Sequence, residues 1–316
     1  MFKSRNFDAL RAELSKNLTV LDGGLATSLE ALGHDLSGTL WSARLLQDEP
    51  TVLADVNRSH ALAGADIVST ASYQVSRQGF VAAGFTPDMA DAAISQSVAI
   101  TRDVANSLSR ATGRTIAVAG SLGPYGAVLA DGSEYRGDYT ISESNLKHFH
   151  RERLNVMTAA APDFLAFETV PSVIELRVIN QLLTEEFTDI PAWVSCSAAD
   201  GAHISDGTPT AIAFQELTAD AVVAFGFNCV KPEYVESLLE SISAVRSEVP
   251  RIVYSNAGRT WDAINRCWLD AGAELVDTAT LKRWYELDAR IIGGCCGLGE
   301  LHLSNLREFA NTLHNE

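Results

Sequence analysis

The sequence is short of positive charge, and this excludes one class of partner. Its 316 residues include 24 Lys and Arg but 40 Asp and Glu, so the formal net charge is -16. Nucleic-acid-binding proteins need a basic surface, and we therefore expect no nucleic-acid partner. The acidic balance suits a cationic small molecule better than an anionic one, but a solvated acidic surface would also explain it.

Long apolar runs are missing as well. The longest, such as Ala221–Gly226, are far too short to cross a bilayer. Near the start, Asp8 and Glu13 stand where a signal peptide would have its apolar core. We therefore expect no membrane partner and a cytoplasmic location.

Cysteine is scarce, with five in the chain. Five cysteines in a long chain that is expected to be cytosolic do not indicate a disulfide framework. Their positions are informative. Cys229 follows one strand-like run, and the adjacent Cys295 and Cys296 follow another. Cys196 and Cys267 stand alone and are expected to be small buried apolar residues.

Eight short apolar runs rich in β-branched residues recur along the chain, and most are apolar throughout, as in strands of a parallel sheet covered on both faces. The predicted strands are Leu18–Asp22, Asp66–Ala71, Thr115–Gly120, Asp163–Glu168, Ala192–Ser197, Ala221–Asn228, Arg251–Ser255 and Arg290–Gly293. Helix-like stretches are Asp88–Arg110, Glu143–Ala160, Val173–Phe187, Pro232–Val245, Trp261–Leu269 and Gly299–Leu313.

This alternation has no break in composition, and it predicts a (β/α)8 TIM barrel of the α/β class, with residues 1–316 as a single domain. The alternative is a doubly wound open sheet. That fold predicts G-x-G-x-x-G after the first strand, whereas the sequence has only Asp22-Gly23-Gly24-Leu25 there. The barrel is therefore favoured.

In a barrel, active sites lie at the carboxyl ends of the strands. Small, polar and metal-binding residues follow several predicted strands: Asp22-Gly23-Gly24, Glu168-Thr169, Asn228-Cys229 and Gly294-Cys295-Cys296. The long connection 124–142 is expected to form an ordered flap over this end, with Glu134 and Tyr135 as candidate ligand contacts. A packed loop without a ligand role is the alternative.

Three cysteines on one face suggest a zinc site. Zn²⁺ prefers thiolate sulfur, and catalytic sites keep one position open. A disulfide between neighbouring residues would be strained, because their Cα atoms lie only about 3.8 Å apart. Gly293, Gly294 and Gly297 should let both sulfurs turn toward one point. A sulfur-rich site suits thiol alkylation better than water activation.

These residues give the chain a close resemblance to the homocysteine S-methyltransferase family, a set of zinc-dependent (β/α)8 barrels. The matching segments cover nearly the whole chain in order, and the most specific are GFNC and GGCCG. Others are LDGGLATSLEALGHDLSGTLWSARLL, GADIVSTASYQ, SLGPYGAVLADGSEYRGDY, FLAFETVPSVIE, HISDGTPT, GFNCVKPE, YSNAGRTWD and IIGGCCG. The DGSEYRGDY loop is similar to the branch that uses S-methylmethionine, and often S-adenosylmethionine.

The resemblance implies a role for each site residue. Cys229, Cys295 and Cys296 would hold Zn²⁺ and serve catalysis. Asp22, Gly23 and Gly24 would hold the amino-acid end of homocysteine, Glu168 would face its ammonium group and act in catalysis, and Asn228 would order substrate or ligand contacts. Glu134 would contact substrate, and Tyr73, Tyr125, Glu134 and Tyr135 are candidates to hold a sulfonium donor.

The implied reaction is displacement at the methyl carbon of the sulfonium by the homocysteine thiolate, which gives methionine. Phe227 stands where an aliphatic residue is common in the family, and Ser255-Asn256-Ala257-Gly258 departs slightly from the usual Pro-Asn-Ser-Gly. Two alternatives remain at this stage. The acceptor could be another small thiol or a selenol such as selenocysteine, or the barrel could bind zinc and thiols without turnover.

Overall fold

The computed structural model describes residues 6–34, 36, 40, 44–258, 261–262, 267–268 and 272–313. Eight parallel strands form one sheet: β1 Thr19–Val20, β2 Ile67–Ser69, β3 Ala117–Leu122, β4 Phe164–Val170, β5 Ala192–Cys196, β6 Val222–Asn228, β7 Arg251–Ser255 and β10 Ala289–Gly294. Their order in the sheet is β1-β10-β7-β6-β5-β4-β3-β2. A bridge between Leu21 and Ile67 joins the two ends of the sheet. The predicted (β/α)8 barrel is therefore confirmed.

Helices cover the outside of the sheet. They are α1 Phe7–Leu14, α2 Leu25–Ala31, α3 Leu45–Asp48, α4 Pro50–Ala63, α5 Arg77–Ala82, α6 Pro87–Thr112, α7 Tyr125–Leu129, α8 Glu143–Ala159, α9 Val173–Glu185, α10 Thr210–Gln215, α11 Pro232–Ser241, α12 Thr278–Glu286 and α13 Glu300–Leu313. Among the described residues, no helix combines the length and the apolar character needed to cross a membrane.

The predicted helix Trp261–Leu269 is wrong. Its described residues form two short strands, β8 Trp261–Asp262 and β9 Cys267–Trp268, which pair antiparallel. Aromatic residues favour strands, and cross-strand pairing here outweighs the helix-like spacing of apolar residues. The predicted helical stretches did not include α1, α2, α3, α4, α5, α7, α10 or α12. The predicted burial of Cys196 is confirmed, whereas the side chain of Cys267 lies outside the described part of the chain.

The barrel interior explains which end of the fold is available for chemistry. Aromatic and aliphatic side chains from the strands, such as Phe164, Trp193 and Ile291, form a buried cluster that also contains Leu10 and Leu14 of α1. Because Arg11 of α1 donates to the carbonyl oxygen of Val222 at the start of β6, α1 covers the amino end of the barrel. The carboxyl ends of the strands stay accessible at the other face.

Candidate active site and metal centre

Cys229, Cys295 and Cys296 lie together at the carboxyl ends of β6 and β10, with their three sulfurs within 4.8 Å of one another. The Sγ atoms of Cys229 and Cys296 are 3.5 Å apart, and those of Cys295 and Cys296 are 4.0 Å apart. Tetrahedral coordination with Zn–S bonds of 2.3 Å requires sulfurs about 3.8 Å apart. The observed distances bracket that value, so the cluster fits a tetrahedral thiolate-bound metal.

An unusual backbone conformation directs the Cys229 side chain. Its φ is +51°, in the left-handed region that a non-glycine residue enters at some cost. The backbone around it is fixed because its N–H donates to the Tyr254 carbonyl at 2.9 Å and its own carbonyl accepts from the Asn256 side chain at 3.1 Å. The strand therefore stops at Asn228, and the next residue turns its sulfur into the site.

The Cys295–Cys296 segment is held between two neighbouring turns. The Cys295 N–H donates to the Ser255 carbonyl, and the Cys296 carbonyl accepts from the Ala257 N–H. Gly297 follows with φ +84°, and its N–H donates to Thr27 Oγ1 at 2.7 Å. A Cβ at Gly294 would stand 2.8 Å from the Leu298 Cβ, so this glycine is needed for close packing beside the two cysteines.

Hydrogen bonds within the cluster distribute the protons unequally. Donation from Cys295, Cys296 and Tyr135 lowers the pKa of Cys229 well below its ordinary value, although burial opposes this. The pKa values of Cys295 and Cys296 are raised, chiefly by their hydrogen bonds to Cys229. These directions favour the thiolate form at Cys229 over Cys295 and Cys296, and a bound cation would favour deprotonation of all three thiols.

All nine residues predicted for the site line one cavity of about 120 Å³. They are Asp22, Gly23, Gly24, Glu134, Glu168, Asn228, Cys229, Cys295 and Cys296. The described lining contains three carboxylates but no Lys, Arg or His. Burial is the main cause that raises the pKa of each carboxyl, Asp22, Glu134 and Glu168, to about 7. Because no basic side chain balances these groups, the cavity favours a cationic ligand.

The Asp22 carboxylate is oriented by Ser69 of β2. Its Oδ2 accepts from the Ser69 N–H at 2.6 Å, and its Oδ1 accepts from the Ser69 hydroxyl at 3.1 Å. The next two residues pass close to the cysteine turn, since a Cβ at Gly24 would stand 2.5 Å from the Cys295 carbonyl oxygen. The Gly24 N–H donates to the Leu298 carbonyl at 2.9 Å, so this amide is already used within the chain.

Glu168 and Asn228 belong to a polar network on the cavity floor that the sequence did not indicate. The Ser121 hydroxyl donates to Glu168, and Tyr254 also hydrogen-bonds this carboxylate. Asn228 Oδ1 accepts from the Thr169 N–H at 2.6 Å. It also accepts from the Ser195 hydroxyl at 2.8 Å. Ser121 lies on β3, Thr169 on β4, Ser195 on β5 and Tyr254 on β7, and the one available signal in the sequence was the occurrence of hydroxyl-bearing residues at strand ends.

The connection 124–142 reaches the cavity through its middle. A 3₁₀ turn at Ser133–Tyr135 places Glu134 and Tyr135 in the lining, and the Tyr135 hydroxyl lies 3.2 Å from the Cys229 sulfur. Among the described residues, Glu134 Oε2 is buried without a hydrogen-bond partner. The segment therefore covers part of the cavity as expected, and a ligand role for Glu134 and Tyr135 stays a prediction.

Of the four candidates for the sulfonium contact, Tyr73, Glu134 and Tyr135 line the cavity, and Tyr125 does not. The Tyr125 ring packs against Phe149, with ring centres 5.3 Å apart, and lines a separate surface cleft. The expectation for Tyr125 is corrected for this reason: α7 starts at this residue and turns its side chain toward α8 instead of the strand ends.

The fold and the site together place this protein among the barrel enzymes that have a metal centre at the carboxyl ends of their strands. The family model for homocysteine S-methyltransferase matches residues 19–310. The homocysteine S-methyltransferase YbgG of Bacillus subtilis is 40% identical over 302 residues, covering 94% of this chain and 95% of its own length. The chain belongs to the homocysteine S-methyltransferase family, and it is a methyltransferase.

Other relatives agree with this assignment. The homocysteine S-methyltransferase of Escherichia coli is 39% identical over 292 residues, which cover 91% of this chain and 94% of that protein. The crystal structure of the metallated form of the homocysteine methyltransferase MmuM from Escherichia coli superposes with a TM-score of 0.84 at 36% identity, and covers 95% of this chain and 99% of that chain. The expected resemblance is confirmed, and a metal at the cysteine cluster is supported.

Proposed function

We propose that this enzyme transfers a methyl group from a sulfonium donor, S-methylmethionine or S-adenosylmethionine, to the sulfur of L-homocysteine, and so forms methionine. The observation that carries the proposal is the cavity itself. It brings three cysteine sulfurs and three buried carboxylates together and contains no basic side chain among its described lining residues. Such a site suits a thiol acceptor and a cationic donor at once.

We further propose that the metal is Zn²⁺, held by Cys229, Cys295 and Cys296. Soft thiolate ligands select zinc over the harder divalent cations, and the sulfur spacing fits a tetrahedral ion. When bound, Zn²⁺ in such a site supplies an open coordination position at which an incoming thiol loses its proton at neutral pH.

Two carboxylates that line the cavity suit the amino-acid end of the acceptor. Asp22 is oriented by Ser69, and Glu168 by Ser121 and Tyr254. Each is buried and lacks a cationic partner among the described residues, so an ammonium group placed between them would lower the pKa of both and be bound in its charged form. Homocysteine would then have its sulfur directed toward the cysteines.

Glu134, Tyr73 and Tyr135 suit the donor. The Glu134 carboxylate, whose Oε2 has no hydrogen-bond partner among the described residues, can balance the sulfonium charge, and the two rings can contact the sulfonium through cation–π interactions. In the reaction the carbon–sulfur bond to the donor breaks as the methyl carbon bonds to the acceptor sulfur. The donor leaves as a neutral thioether and needs no proton. Opposite charges disappear, so exclusion of water by the 124–142 segment should accelerate the step.

The size of the cavity supports the smaller donor. Pockets for drug-sized ligands span roughly 300–1,000 Å³, whereas this cavity is about 120 Å³. It has little room for an adenosyl group, and S-methylmethionine is therefore proposed as the preferred donor.

The test is incubation of the metal-loaded enzyme with homocysteine and each donor, with methionine measured by mass spectrometry. Because the thioether that leaves S-methylmethionine is itself methionine, isotopic label is placed in the carbon chain of homocysteine and should appear in methionine, with a higher kcat/KM for S-methylmethionine. Equal concentrations of selenocysteine or other small thiols should compete poorly. Zinc and homocysteine binding without methionine from either sulfonium would refute the proposal and leave a binding protein.

A further inference from the structure

Glu175 is a buried carboxylate outside the cavity, and the proposed chemistry does not use it. It lies in the first turn of α9, seven residues after Glu168 in the FLAFETVPSVIE motif, and its side chain is fully buried. Ser172 caps this helix by accepting from the Glu175 N–H. In a capping box the glutamate side chain would return to the cap residue. Here it makes three contacts elsewhere.

All three contacts are donors to the same carboxylate. Oε1 accepts from the Tyr125 N–H at 2.8 Å and from His150 Nε2 at 2.6 Å, and Oε2 accepts from the Tyr139 hydroxyl. Among the described residues His150 Nδ1 has no hydrogen-bond partner, which is consistent with a neutral ring carrying its proton on Nε2. Burial and the nearby carboxylate raise the pKa of Tyr139, so its hydroxyl remains a donor.

Tyr125 and Tyr139 lie near the two ends of the 124–142 segment, and one carboxylate therefore joins both ends. Their rings also contact each other edge to face, with centres 5.6 Å apart. Between them the chain folds back tightly, since a Cβ at Gly126 would stand 2.7 Å from the Glu134 nitrogen. The farther part of the loop is tied to the barrel where the Ser197 hydroxyl donates to the Glu134 carbonyl at 2.7 Å.

Arg153 is a second buried group beside Glu175, and it holds the loops that follow β2 and β3. Arg153, three residues after His150 on α8, donates to the carbonyls of Tyr73 at 2.7 Å and Gly123 at 2.6 Å. Burial lowers the pKa of Arg153, and the nearby Glu175 carboxylate opposes this by raising it. The cluster of His150, Arg153 and Glu175 therefore supports the loops that carry Tyr73 and Tyr135, without lining the cavity itself.

We infer that Glu175 is a positioning residue for the methyl donor: by joining the two ends of the 124–142 segment, it places Glu134 and Tyr135 over the cysteines. The inference rests on the proposed function, because those two side chains are assigned there to the sulfonium. It assigns no contact between Glu175 and either substrate. The three cysteines follow β6 and β10, and the acceptor carboxylates Asp22 and Glu168 belong to the turn after β1 and to β4. None of these residues lies in the 124–142 segment, so the effect should be selective for the donor.

Three variants test this inference in the metal-loaded enzyme. Glu175→Leu removes all three contacts at similar volume, and Tyr139→Phe removes one while keeping the ring. Glu175→Gln should largely rescue, since its amide oxygen can accept from Tyr125 and His150 while its NH₂ group donates to the Tyr139 oxygen. Tyr285→Phe, on α12 away from the segment, is the matched control.

Steady-state kinetics and hydrogen exchange are the two readouts. We expect the KM for the donor to rise about tenfold or more in Glu175→Leu and less in Tyr139→Phe, and amides of 125–139 to exchange faster in the same order. The KM for homocysteine, the metal content and exchange in β6 should stay within about twofold of wild type. Glu175→Gln and Tyr285→Phe should match wild type in every measurement.

An unchanged donor KM in Tyr139→Phe together with unchanged exchange would overturn the inference, even if Glu175→Leu fails to fold. A parallel rise in both KM values, or faster exchange throughout the barrel, would also overturn it, because either outcome indicates a general structural role. If wild-type enzyme makes no methionine, the proposed function fails separately, and exchange in the 125–139 segment still reports whether Glu175 holds it.

Discussion

Replacing Asp22 with Asn should make the metal-free protein more stable at alkaline pH while it impairs substrate use. Burial raises the pKa of Asp22 from an ordinary value of 3.8 to about 7. A raised carboxyl pKa means that the folded state holds its proton more tightly. The associated stability is therefore complete below about pH 4 and is lost as the pH rises to about 7.

The size of the effect follows from the same values. At about 1.4 kcal/mol for each pH unit, ionising Asp22 in the folded protein costs at most about 4 kcal/mol. Asparagine avoids this cost but makes weaker hydrogen bonds with Ser69, at a loss of about 1 kcal/mol. The variant should thus be more stable by about 3 kcal/mol at pH 8, and the difference should be close to zero at pH 5.

Thermal unfolding in the presence of a chelator measures this difference. With an unfolding entropy of about 2 cal/mol/K per residue, the melting temperature at pH 8 should rise by about 5 °C. Asp103→Asn on the exposed face of α6 has the same change in charge and should leave the melting temperature nearly unchanged at both pH values. A variant that is destabilised equally at pH 5 and pH 8 would refute the reasoning, since burial of the charge would then not control stability.

Three further variants probe other parts of the site. Cys295→Ser should contain no bound metal when measured by elemental analysis and should show no methyl transfer, while it keeps the circular dichroism spectrum of the wild type. A fully active, metal-free variant would exclude the proposed centre. Glu134→Gln should raise the KM for the sulfonium about tenfold through loss of one charged contact, with a smaller change for homocysteine, and equal changes for both substrates would assign Glu134 elsewhere. Gly24→Ala should lower the free energy of unfolding by about 1–3 kcal/mol and weaken metal retention, because the added Cβ would stand 2.5 Å from the Cys295 carbonyl oxygen. Gly299→Ala is the control and should behave as wild type, because the nearest atom to its added Cβ is 3.7 Å away.

The strands and the cysteine cluster were predictable because both depend on local signals. Strands such as β6 are buried on both faces, so they read as uninterrupted apolar runs, and Cys229 stands directly after one of them. Parallel strands of a barrel present their carboxyl ends at one face, and this is enough to bring Cys229 toward Cys295 and Cys296.

The remaining errors concern features that depend on contacts distant in sequence. The strands β8 and β9 pair with each other, which an apolar spacing typical of a helix does not indicate. Tyr125 follows a strand end, but its ring is drawn away by Phe149 of α8. Glu175 has the spacing of an ordinary helix cap, and only the folded chain shows that its carboxylate reaches Tyr139.

The order of the strands links metal retention to the cohesion of one side of the barrel. Cys295 and Cys296 follow β10, Cys229 follows β6 and precedes Cys296 by 67 residues, and β7 lies between these two strands. A bound ion therefore acts as a cross-link across β7, and its binding free energy adds to the stability of this side of the barrel. Loss of the ion should loosen the carboxyl ends of β6, β7 and β10 before the strands on the opposite side.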